Sequence, residues 1–343
     1  MTITVALPQG GYPVHIAAGL LAKTGEKVSS LPCRRWAVIA DETVAVLFGE
    51  KVLDSLRAAG LAGELLTFPA GERSKTPETW LTLCRALAQW GFTRQDGVLA
   101  LGGGVTGDMA GFAAACYQRG MMLVQLPTTL LAQVDSAVGG KTAVDLLEGK
   151  NLLGAFYQPR MVLVDTDCLA TLPPREFRSG VAEVIKYGMI RDVDILTELE
   201  TAKPDWAALI GRCLRVKAAL VAEDERDAGQ RRLLNFSHTF GHAYEAAGGY
   251  EACTHGEAVA AGMAEMLRWQ LRRGDDVAAA YDRLVALLER YGLPTRMDCG
   301  SEVLRRHMAQ DKKREGAALH AVLLRDIGNA YVETVPLSAL CGG

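Results

Sequence analysis

The sequence of 343 residues lacks the hallmarks of several protein classes. None of its eight cysteines forms a CxxC pair, so neither a zinc–thiolate site nor a disulfide framework is indicated. No apolar run reaches the roughly 18 residues that a membrane helix needs. The N-terminal MTITVALPQGGY lacks the basic start and apolar core of a signal peptide. The formal net charge of −3 gives no general attraction to nucleic acids or acidic membranes. We therefore expect a cytoplasmic protein that binds a small molecule.

Apolar segments of strand length dominate the first half of the chain. They occur at 36–40, 64–68, 97–101, 122–126 and 161–165, with helical stretches such as 76–90 between some of them. This alternation predicts a parallel α/β sheet. After the Pro173–Pro174 pair, helical periodicity prevails at 177–201, 204–225, 237–247, 255–273 and 275–291. The sequence thus predicts an α/β Rossmann-like domain over 1–172 and a mostly α-helical domain over 173–343.

A glycine-rich turn follows the predicted strand 97–101. Residues 102–107 read GGGVTG, which satisfies G-x-G-x-x-G, and a helix is predicted over 108–116. Such a turn lets a pyrophosphate approach the backbone at a helix N-terminus. No acidic residue ends a strand about 20 residues later, as the usual fingerprint requires. Asp41, at the end of strand 36–40, is the candidate ribose partner. The alternative is a tight turn without a ligand.

Three of the six histidines lie within 18 residues of each other, at His238, His242 and His255. His238 and His242 are four apart, so a helix would place them on one face. Glu183 lies in the apolar segment VAEVIKYGMI, where Lys186 is the one other charge. Imidazoles with a buried carboxylate indicate a divalent metal site. The spacing leaves open which two histidines bind, and hydrogen bonding within a packed core is the alternative.

Several cations occupy positions that are unusual for a solvated side chain. Lys217 falls in register with the apolar stripe of its helix, and Lys186 shares a helix with Glu183. Further members of this group are Lys141, Lys150 and Arg231, with Asn235 beside them. Each alone reads as a surface or snorkelling side chain. Together with a metal they predict a pocket for a substrate that carries phosphate or carboxylate.

Seven segments resemble the 3-dehydroquinate synthase family of sugar-phosphate cyclases. They are GGGVTGD (102–108), YQRG (117–120), LPTTLLAQVDSAVGGKTAVD (126–145), KNLLGAFYQP (150–159), AEVIKYG (182–188), LNFSHTFGHAYE (234–245) and HGEAVAAGM (255–263). The resemblance implies a dehydroquinate synthase-like fold with the active site between the two domains. It also implies a lyase that uses NAD and Zn²⁺, with Co²⁺ as a possible substitute. That lyase converts 3-deoxy-D-arabino-heptulosonate 7-phosphate into 3-dehydroquinate.

The resemblance also implies roles for individual residues. Metal ligands are Glu183, His238 and His255, so that His242 becomes a substrate ligand. NAD contacts are Asp41, Glu72, Lys75, Gly103, Gly104, Val105, Asp108, Thr128, Thr129, Lys141, Lys150, Asn151 and Thr171. Substrate and catalytic contacts are Arg119, Asp135, Lys141, Asn151, Lys186, Lys217, Arg231, Asn235 and His242, with phosphate contacts from Lys312 and Lys313. Arg119 would reach a neighbouring protomer's site, which implies a homodimer.

Three rival functions use the same features. A cyclase of the valiolone or deoxy-inosose type would act on a substrate without a carboxylate, and the Lys217–Arg231 pair argues against it. A polyol dehydrogenase would produce NADH, and a non-catalytic NAD sensor would lack some catalytic groups. Three positions depart from the family pattern: Ser237 replaces glycine, Cys116 replaces threonine and Asp227 replaces glutamate. Ser237 would be strained if its backbone had a positive φ.

Overall fold

The computed structural model describes residues 1–227, 229–248, 252–299, 303, 306, 314–315 and 318–341. The chain divides into two compact units, Met1–Leu172 and Pro173–Gly343. No helix in the described part of the chain is long and apolar enough to cross a membrane.

The first unit is built on a seven-stranded sheet in the order β1-β2-β9-β6-β5-β3-β4. Its strands are β1 Thr2–Val5, β2 Tyr12–Ala17, β3 Arg35–Asp41, β4 Ala62–Phe68, β5 Gly97–Gly102, β6 Met122–Pro127 and β9 Met161–Asp165. All neighbours pair in parallel except β1 and β2, which are antiparallel. The five strands predicted from apolar runs all lie in this sheet, and β1 and β2 were not predicted.

Helices cover both faces of the sheet, which explains why its central strands are apolar throughout. The longer helices of the first unit are α3 Glu50–Ala58, α4 Pro77–Gln89 and α5 Gly104–Cys116, and shorter ones are α1 Thr24–Val28 and α2 Glu42–Val44. Val52 and Leu56 of α3 pack on one face, in a core with Trp36. Leu87 of α4 and Phe112 of α5 pack on the other.

The strand order creates a topological switch point between β3 and β5. From β3 the chain passes to β4 on one side, and then to β5 on the other. In open parallel sheets, ligands bind in the crevice outside the carboxyl ends of the strands at such a point. Here the carboxyl ends of β3 and β5 carry Asp41 and the glycine turn.

A two-stranded antiparallel hairpin was not predicted. It consists of β7 Lys141–Leu146 and β8 Gly149–Phe156. Most residues of β8 are exposed within the chain, including the apolar Leu152, Leu153 and Phe156.

The second unit is mostly helical, with α6 Pro174–Ile190, α7 Val193–Leu199, α8 Trp206–Glu223, α9 His238–Ala247, α10 His255–Arg273 and α11 Ala278–Arg290. The single helix expected over 177–201 is wrong, because it breaks at Arg191–Asp192, where Arg191 has φ −149°. The Asp192 carboxylate accepts from Arg212 of α8 at 3.0 Å, a contact that local periodicity does not encode. A sheet of β10 Arg314–Glu315, β11 Ala318–Asp326 and β12 Asn329–Pro336, and a final helix Leu337–Cys341, were not predicted.

Candidate active site

The glycine turn passes directly into α5. Gly103 is the N-cap and α5 begins at Gly104, so the helix starts four residues before the predicted 108. A Cβ on Gly103 would lie 3.1 Å from Thr129 Cγ2, and one on Gly104 would lie 3.2 Å from Ser136 Oγ. A side chain at either position would therefore crowd residues beside a helix N-terminus. This geometry fits the pyrophosphate of a dinucleotide.

A buried cation lies beside this helix. The Lys75 ammonium donates to Asp108 Oδ2 and to Asn151 Oδ1, each at 2.6 Å, and the lysine is 5% exposed. Burial alone disfavours the ammonium, but Asp108 and Glu72 raise the pKa of Lys75 and keep it charged. The structure thus brings together three residues for which NAD contacts were predicted.

Asn151 is held in an uncommon backbone conformation by a residue that the sequence analysis missed. It has φ +54°, and its amide N–H donates to Asp145 Oδ1 at 2.7 Å. The Asp145 N–H in turn donates to the carbonyl of Lys75 at 2.8 Å. Asp145 therefore fixes the position from which Asn151 meets Lys75. An acid four residues before the segment glycine–lysine–asparagine at 149–151 is the signal that could have indicated it.

Other predicted cofactor contacts lie along the carboxyl edge of the sheet. Asp41 accepts from the backbone N–H groups of Thr43 and Val44 at 3.0 Å, as the N-cap of α2. Thr128 follows β6 and is buried, and its N–H donates to the carbonyl of Gly102 at 3.0 Å. Thr129 is half-buried and Thr171, after β9, is exposed. Half-buried at or near the same edge are Glu72, Val105 and Asp135.

Of the two lysines in the β7–β8 hairpin, one does not lie where it was expected. Lys141 was expected in a position unusual for a solvated lysine, but it is exposed within the chain. Lys150 is half-buried and lies 3.2 Å from Glu72 Oε1. Both lysines belong to a hairpin whose second strand is mostly exposed, not to a packed element.

One acid and two histidines converge in the second unit. Ligand atoms of Glu183, His238 and His255 all lie within 4.8 Å of one another, and these residues form the metal-compatible group found in the described part of the chain. His255 Nε2 is 3.4 Å and His238 Nε2 is 4.0 Å from Glu183 Oε1. Two imidazoles and one carboxylate form the donor set of a catalytic zinc site with an open position. The residues therefore fit zinc.

Packing of α10 on α6 positions His255 beside Glu183. His255 is the first residue of α10, which begins with a capping box between Thr254 and Glu257. The next residue, Gly256, packs so closely on α6 that a Cβ would lie 2.1 Å from the carbonyl oxygen of Ser179. The Gly256 N–H also donates to Ser179 Oγ at 3.0 Å. The start of α10 is thus fixed to α6 one turn before Glu183.

The departure at Ser237 is a strained position. Ser237 is the N-cap of α9 and has φ +81°, a left-handed conformation in which glycine is favoured. The next residue, His238, places its Nδ1 3.2 Å from the carbonyl oxygen of Phe236 and 3.5 Å from Ser237 Oγ. The backbone turn therefore sets the orientation of one imidazole of the cluster.

His255 has an unusual titration environment. Burial disfavours its charged form, but hydrogen bonds with Glu183 and with Glu245 raise the pKa of His255 to about 10. Glu245 was not predicted as a site residue. The signal was present, since His238, His242 and Glu245 recur at intervals of four and three and share one face of α9.

The remaining predicted residues of this unit differ in burial. Lys186, Lys217 and Arg231 are 1%, 4% and 2% exposed, and Lys186 forms an ion pair with Glu183. Arg231 Nη1 also donates to the carbonyl of Glu225 at 2.6 Å. Asn235 is half-buried, whereas His242 is exposed, its ring centroid 5.2 Å from that of His238. Lys312 and Lys313 lie outside the described residues.

Arg119 occupies a strained turn in the first unit. Gln118, Arg119 and Gly120 have φ values of +51°, +64° and +129°. The Tyr117 hydroxyl, just before them, donates to the carbonyl of Phe92 at 2.9 Å. Arg119 is exposed within the chain. Strain of this kind is retained where the surrounding structure or a function requires it.

Family comparisons agree over most of the chain. Residues 65–179 match the 3-dehydroquinate synthase N-terminal family and residues 180–314 match the C-terminal family. A curated 3-dehydroquinate synthase from Caulobacter vibrioides (strain NA1000 / CB15N) is 47% identical over 348 residues, covering 96% of this chain and 94% of that protein.

Two solved structures share the fold at lower identity. One is 2-deoxy-scyllo-inosose synthase with carbaglucose-6-phosphate, NAD⁺ and Co²⁺, at 26% identity and TM-score 0.90, covering 99% of this chain and 98% of that one. The other is a 2-epi-5-epi-valiolone synthase from Streptomyces hygroscopicus subsp. jinggangensis 5008 with NAD⁺ and Zn²⁺. It is 30% identical with TM-score 0.88, covering 98% of this chain and 96% of that one.

Proposed function

Because the chain belongs to the 3-dehydroquinate synthase family, we propose that it converts 3-deoxy-D-arabino-heptulosonate 7-phosphate into 3-dehydroquinate and phosphate. This is the second step of the shikimate pathway. The 47% identity to a curated enzyme over 96% of the chain carries the proposal. Its overall course is a transient oxidation, elimination of phosphate, re-reduction and an intramolecular aldol closure, with no net redox change.

The second unit, 173–343, supplies the metal and most substrate contacts in this proposal. Glu183, His238 and His255 hold zinc. Lys186, buried beside Glu183, orients a substrate hydroxyl and exchanges protons with it. When bound, zinc polarises substrate oxygens, and NAD accepts and returns a hydride. Cobalt can take the place of zinc, since a related cyclase was solved with Co²⁺.

Two buried cations support a substrate that carries a carboxylate. Lys217 and Arg231 are almost completely buried. The planar guanidinium of Arg231 matches carboxylate geometry, and a lysine ammonium can add a charge-assisted hydrogen bond to the same group. The heptulosonate carries that carboxylate, whereas substrates of the deoxy-inosose and valiolone type do not. Identities of 26% and 30% to those two cyclases, against 47% to the dehydroquinate synthase, favour the same conclusion.

The first unit, 1–172, binds NAD at the carboxyl edge of its sheet. Gly103, Gly104 and Val105 would hold the pyrophosphate, and Asp41 would bind the ribose at the switch point. Further NAD contacts come from Glu72, Lys75, Asp108, Thr128, Thr129, Lys141, Lys150, Asn151 and Thr171. Proposed substrate contacts in this unit are Asp135, Lys141 and Asn151, and those in the second unit include Asn235 and His242.

A homodimer in the cytoplasm is part of the proposal. Arg119 is exposed on a strained turn. Its guanidinium would bind the substrate phosphate in the site of a neighbouring protomer. Sedimentation equilibrium tests the dimer. Arg119→Ala mixed with a variant that is inactive through its own metal site should regain part of the activity, because one hybrid site is then complete.

The direct test uses the purified protein with NAD, zinc and the heptulosonate phosphate. Phosphate release should follow turnover, dehydroquinate should appear, and absorbance at 340 nm should stay nearly flat. Stoichiometric NADH would instead identify a polyol dehydrogenase. Equal turnover of sedoheptulose 7-phosphate, which lacks the carboxylate, would identify a valiolone-forming cyclase.

A further inference from the structure

The imidazole of His255 lies between two buried carboxylates. Its Nε2 is 3.4 Å from Glu183 Oε1, and its Nδ1 is 3.4 Å from Glu245 Oε2. Glu245 is 5% exposed and belongs to α9, whereas His255 begins α10. Nε2 therefore faces Glu183 of the metal-compatible group, and Nδ1 faces Glu245.

We propose that Glu245 is a positioning residue for the metal ligand His255. A histidine that binds a metal through Nε2 is neutral and carries its proton on Nδ1. The Glu245 carboxylate accepts a hydrogen bond from that Nδ1–H group. This bond fixes both the tautomer and the plane of the ring. Partners of this kind raise the affinity of the ligand for its metal. The inference rests on the zinc site of the proposed function.

The imidazole of His238 is oriented in the same way as that of His255. His238 Nδ1 lies 3.2 Å from the carbonyl oxygen of Phe236, and its Nε2 is the atom nearer Glu183. Both histidines thus present Nε2 to the same carboxylate and direct Nδ1 to an oxygen acceptor. The acceptor is main chain for His238 and a side chain for His255, so mutation can remove the acceptor of His255 alone.

The position of Glu245 in its helix supports a functional reason for its charge. It lies in the last turn of α9, where the helix dipole disfavours an anion. Because it follows His238 by seven residues, Glu245 shares a face with that ligand. One short helix therefore carries one metal ligand directly and orients the other.

Zinc affinity tests the proposal without using catalysis. Competition with a chromophoric chelator gives the dissociation constant for wild type, Glu245→Met and Glu245→Gln. Methionine fills a similar volume but offers no oxygen acceptor, so zinc should bind about 10- to 100-fold more weakly. Glutamine still accepts through its amide oxygen, so its affinity should stay within about threefold of wild type. Glu265→Gln is the control, because Glu265 pairs with Arg268 and Arg272.

A second measurement separates positioning from a general loss of structure. Cobalt in the site absorbs visible light according to its ligand geometry, so Glu245→Met should change that spectrum and Glu265→Gln should not. Zinc affinity within about threefold of wild type in Glu245→Met, or equal losses in the methionine and glutamine variants, would overturn the proposal. Glu245→Ala repeats the test should the methionine variant not fold. Absence of zinc binding in wild type would instead defeat the proposed metal site itself.

Discussion

The two units of the chain prepare their sites by different means. In the first unit, the site at the carboxyl edge of the sheet is formed by backbone that glycines leave uncovered, at the N-terminus of α5. In the second unit, buried charged side chains form the site, and Glu183, Lys186, Lys217 and Arg231 are each at most 4% exposed. The first site should therefore be sensitive to added volume, and the second to lost charge or lost ligand atoms.

The largest effect should come from removing a metal ligand. We expect His255→Ala to lose tightly bound zinc and to lower kcat by about 10³-fold or more, because a Lewis acid contributes several kcal/mol to such chemistry. NAD binding, which we propose for the first unit, should be unchanged. Mass spectrometry measures the zinc content, and steady-state kinetics measure kcat.

The matched control for this prediction is His242→Ala. His242 is exposed, and the group of Glu183, His238 and His255 is complete without it. The variant should keep its zinc and lose turnover or substrate affinity. Zinc loss in His242→Ala, with zinc retained in His255→Ala, would contradict the assignment and favour the two histidines spaced four residues apart.

The next effect tests charge in the second unit. Losing one partner of a desolvated charge pair costs about 2–5 kcal/mol, so Arg231→Leu should lower kcat/KM for the heptulosonate phosphate by about 30- to 4,000-fold. Arg212→Leu, which makes the same chemical change at a partly exposed pair with Asp192, should change kcat/KM less than about threefold. Equal losses in both variants would show that the carboxylate argument is wrong.

Sequence reasoning predicted the elements that local pattern determines. The sheet strands β3, β4, β5, β6 and β9 are recognisable because helices bury both faces, which demands continuous apolar runs. The hairpin of β7 and β8 was missed, and within the chain β8 exposes its apolar residues Leu152, Leu153 and Phe156 instead of burying them. The break between α6 and α7 was also missed, because a tertiary contact of Asp192 with α8 accompanies it and no glycine or proline marks it.

The metal cluster shows what spacing alone does not contain. His238 and His242 are neighbours on α9. His255 Nε2 nevertheless lies closer to Glu183 Oε1 than His238 Nε2 does, although His255 begins a different helix, α10. Close packing of α9 on α10 brings it there, since a Cβ on Gly262 would lie 2.6 Å from the carbonyl oxygen of Ser237. Periodicity within one helix does not report such a contact. The family resemblance chose His255, whereas the spacing left the choice open.

A smaller effect tests volume in the first unit. In Gly103→Ala the new methyl group would lie 3.1 Å from Thr129 Cγ2 and would occupy the space proposed for the pyrophosphate. Overpacking typically costs about 1–3 kcal/mol, so NAD should bind about 5- to 150-fold more weakly. Isothermal titration with NAD measures this. Zinc affinity should remain that of wild type.

A double variant separates the two possible causes of this loss. Thr129→Ser removes the methyl group that the new Cβ would meet and keeps the hydroxyl that accepts from the Ala132 N–H. If NAD affinity stays low in Gly103→Ala with Thr129→Ser, the methyl group acts on the ligand, as expected. Full recovery would mean that Gly103 serves only to pack against Thr129.

The smallest effect concerns the strained serine that precedes the proposed metal ligand His238. Ser237 has φ +81°, and a non-glycine residue in this region costs on the order of 1–3 kcal/mol, part of which glycine loses again through its greater freedom in the unfolded chain. We therefore expect Ser237→Gly to raise the free energy of unfolding by about 1 kcal/mol and Tm by about 2–4 °C. Zinc affinity should be unchanged, because the carbonyl of Phe236 still accepts from His238 Nδ1 at 3.2 Å. Ser237→Ala keeps the strain and removes the hydroxyl, so it should show no gain in Tm. A lower Tm in Ser237→Gly, or weaker zinc binding in both variants, would show that the hydroxyl near His238 outweighs the strain.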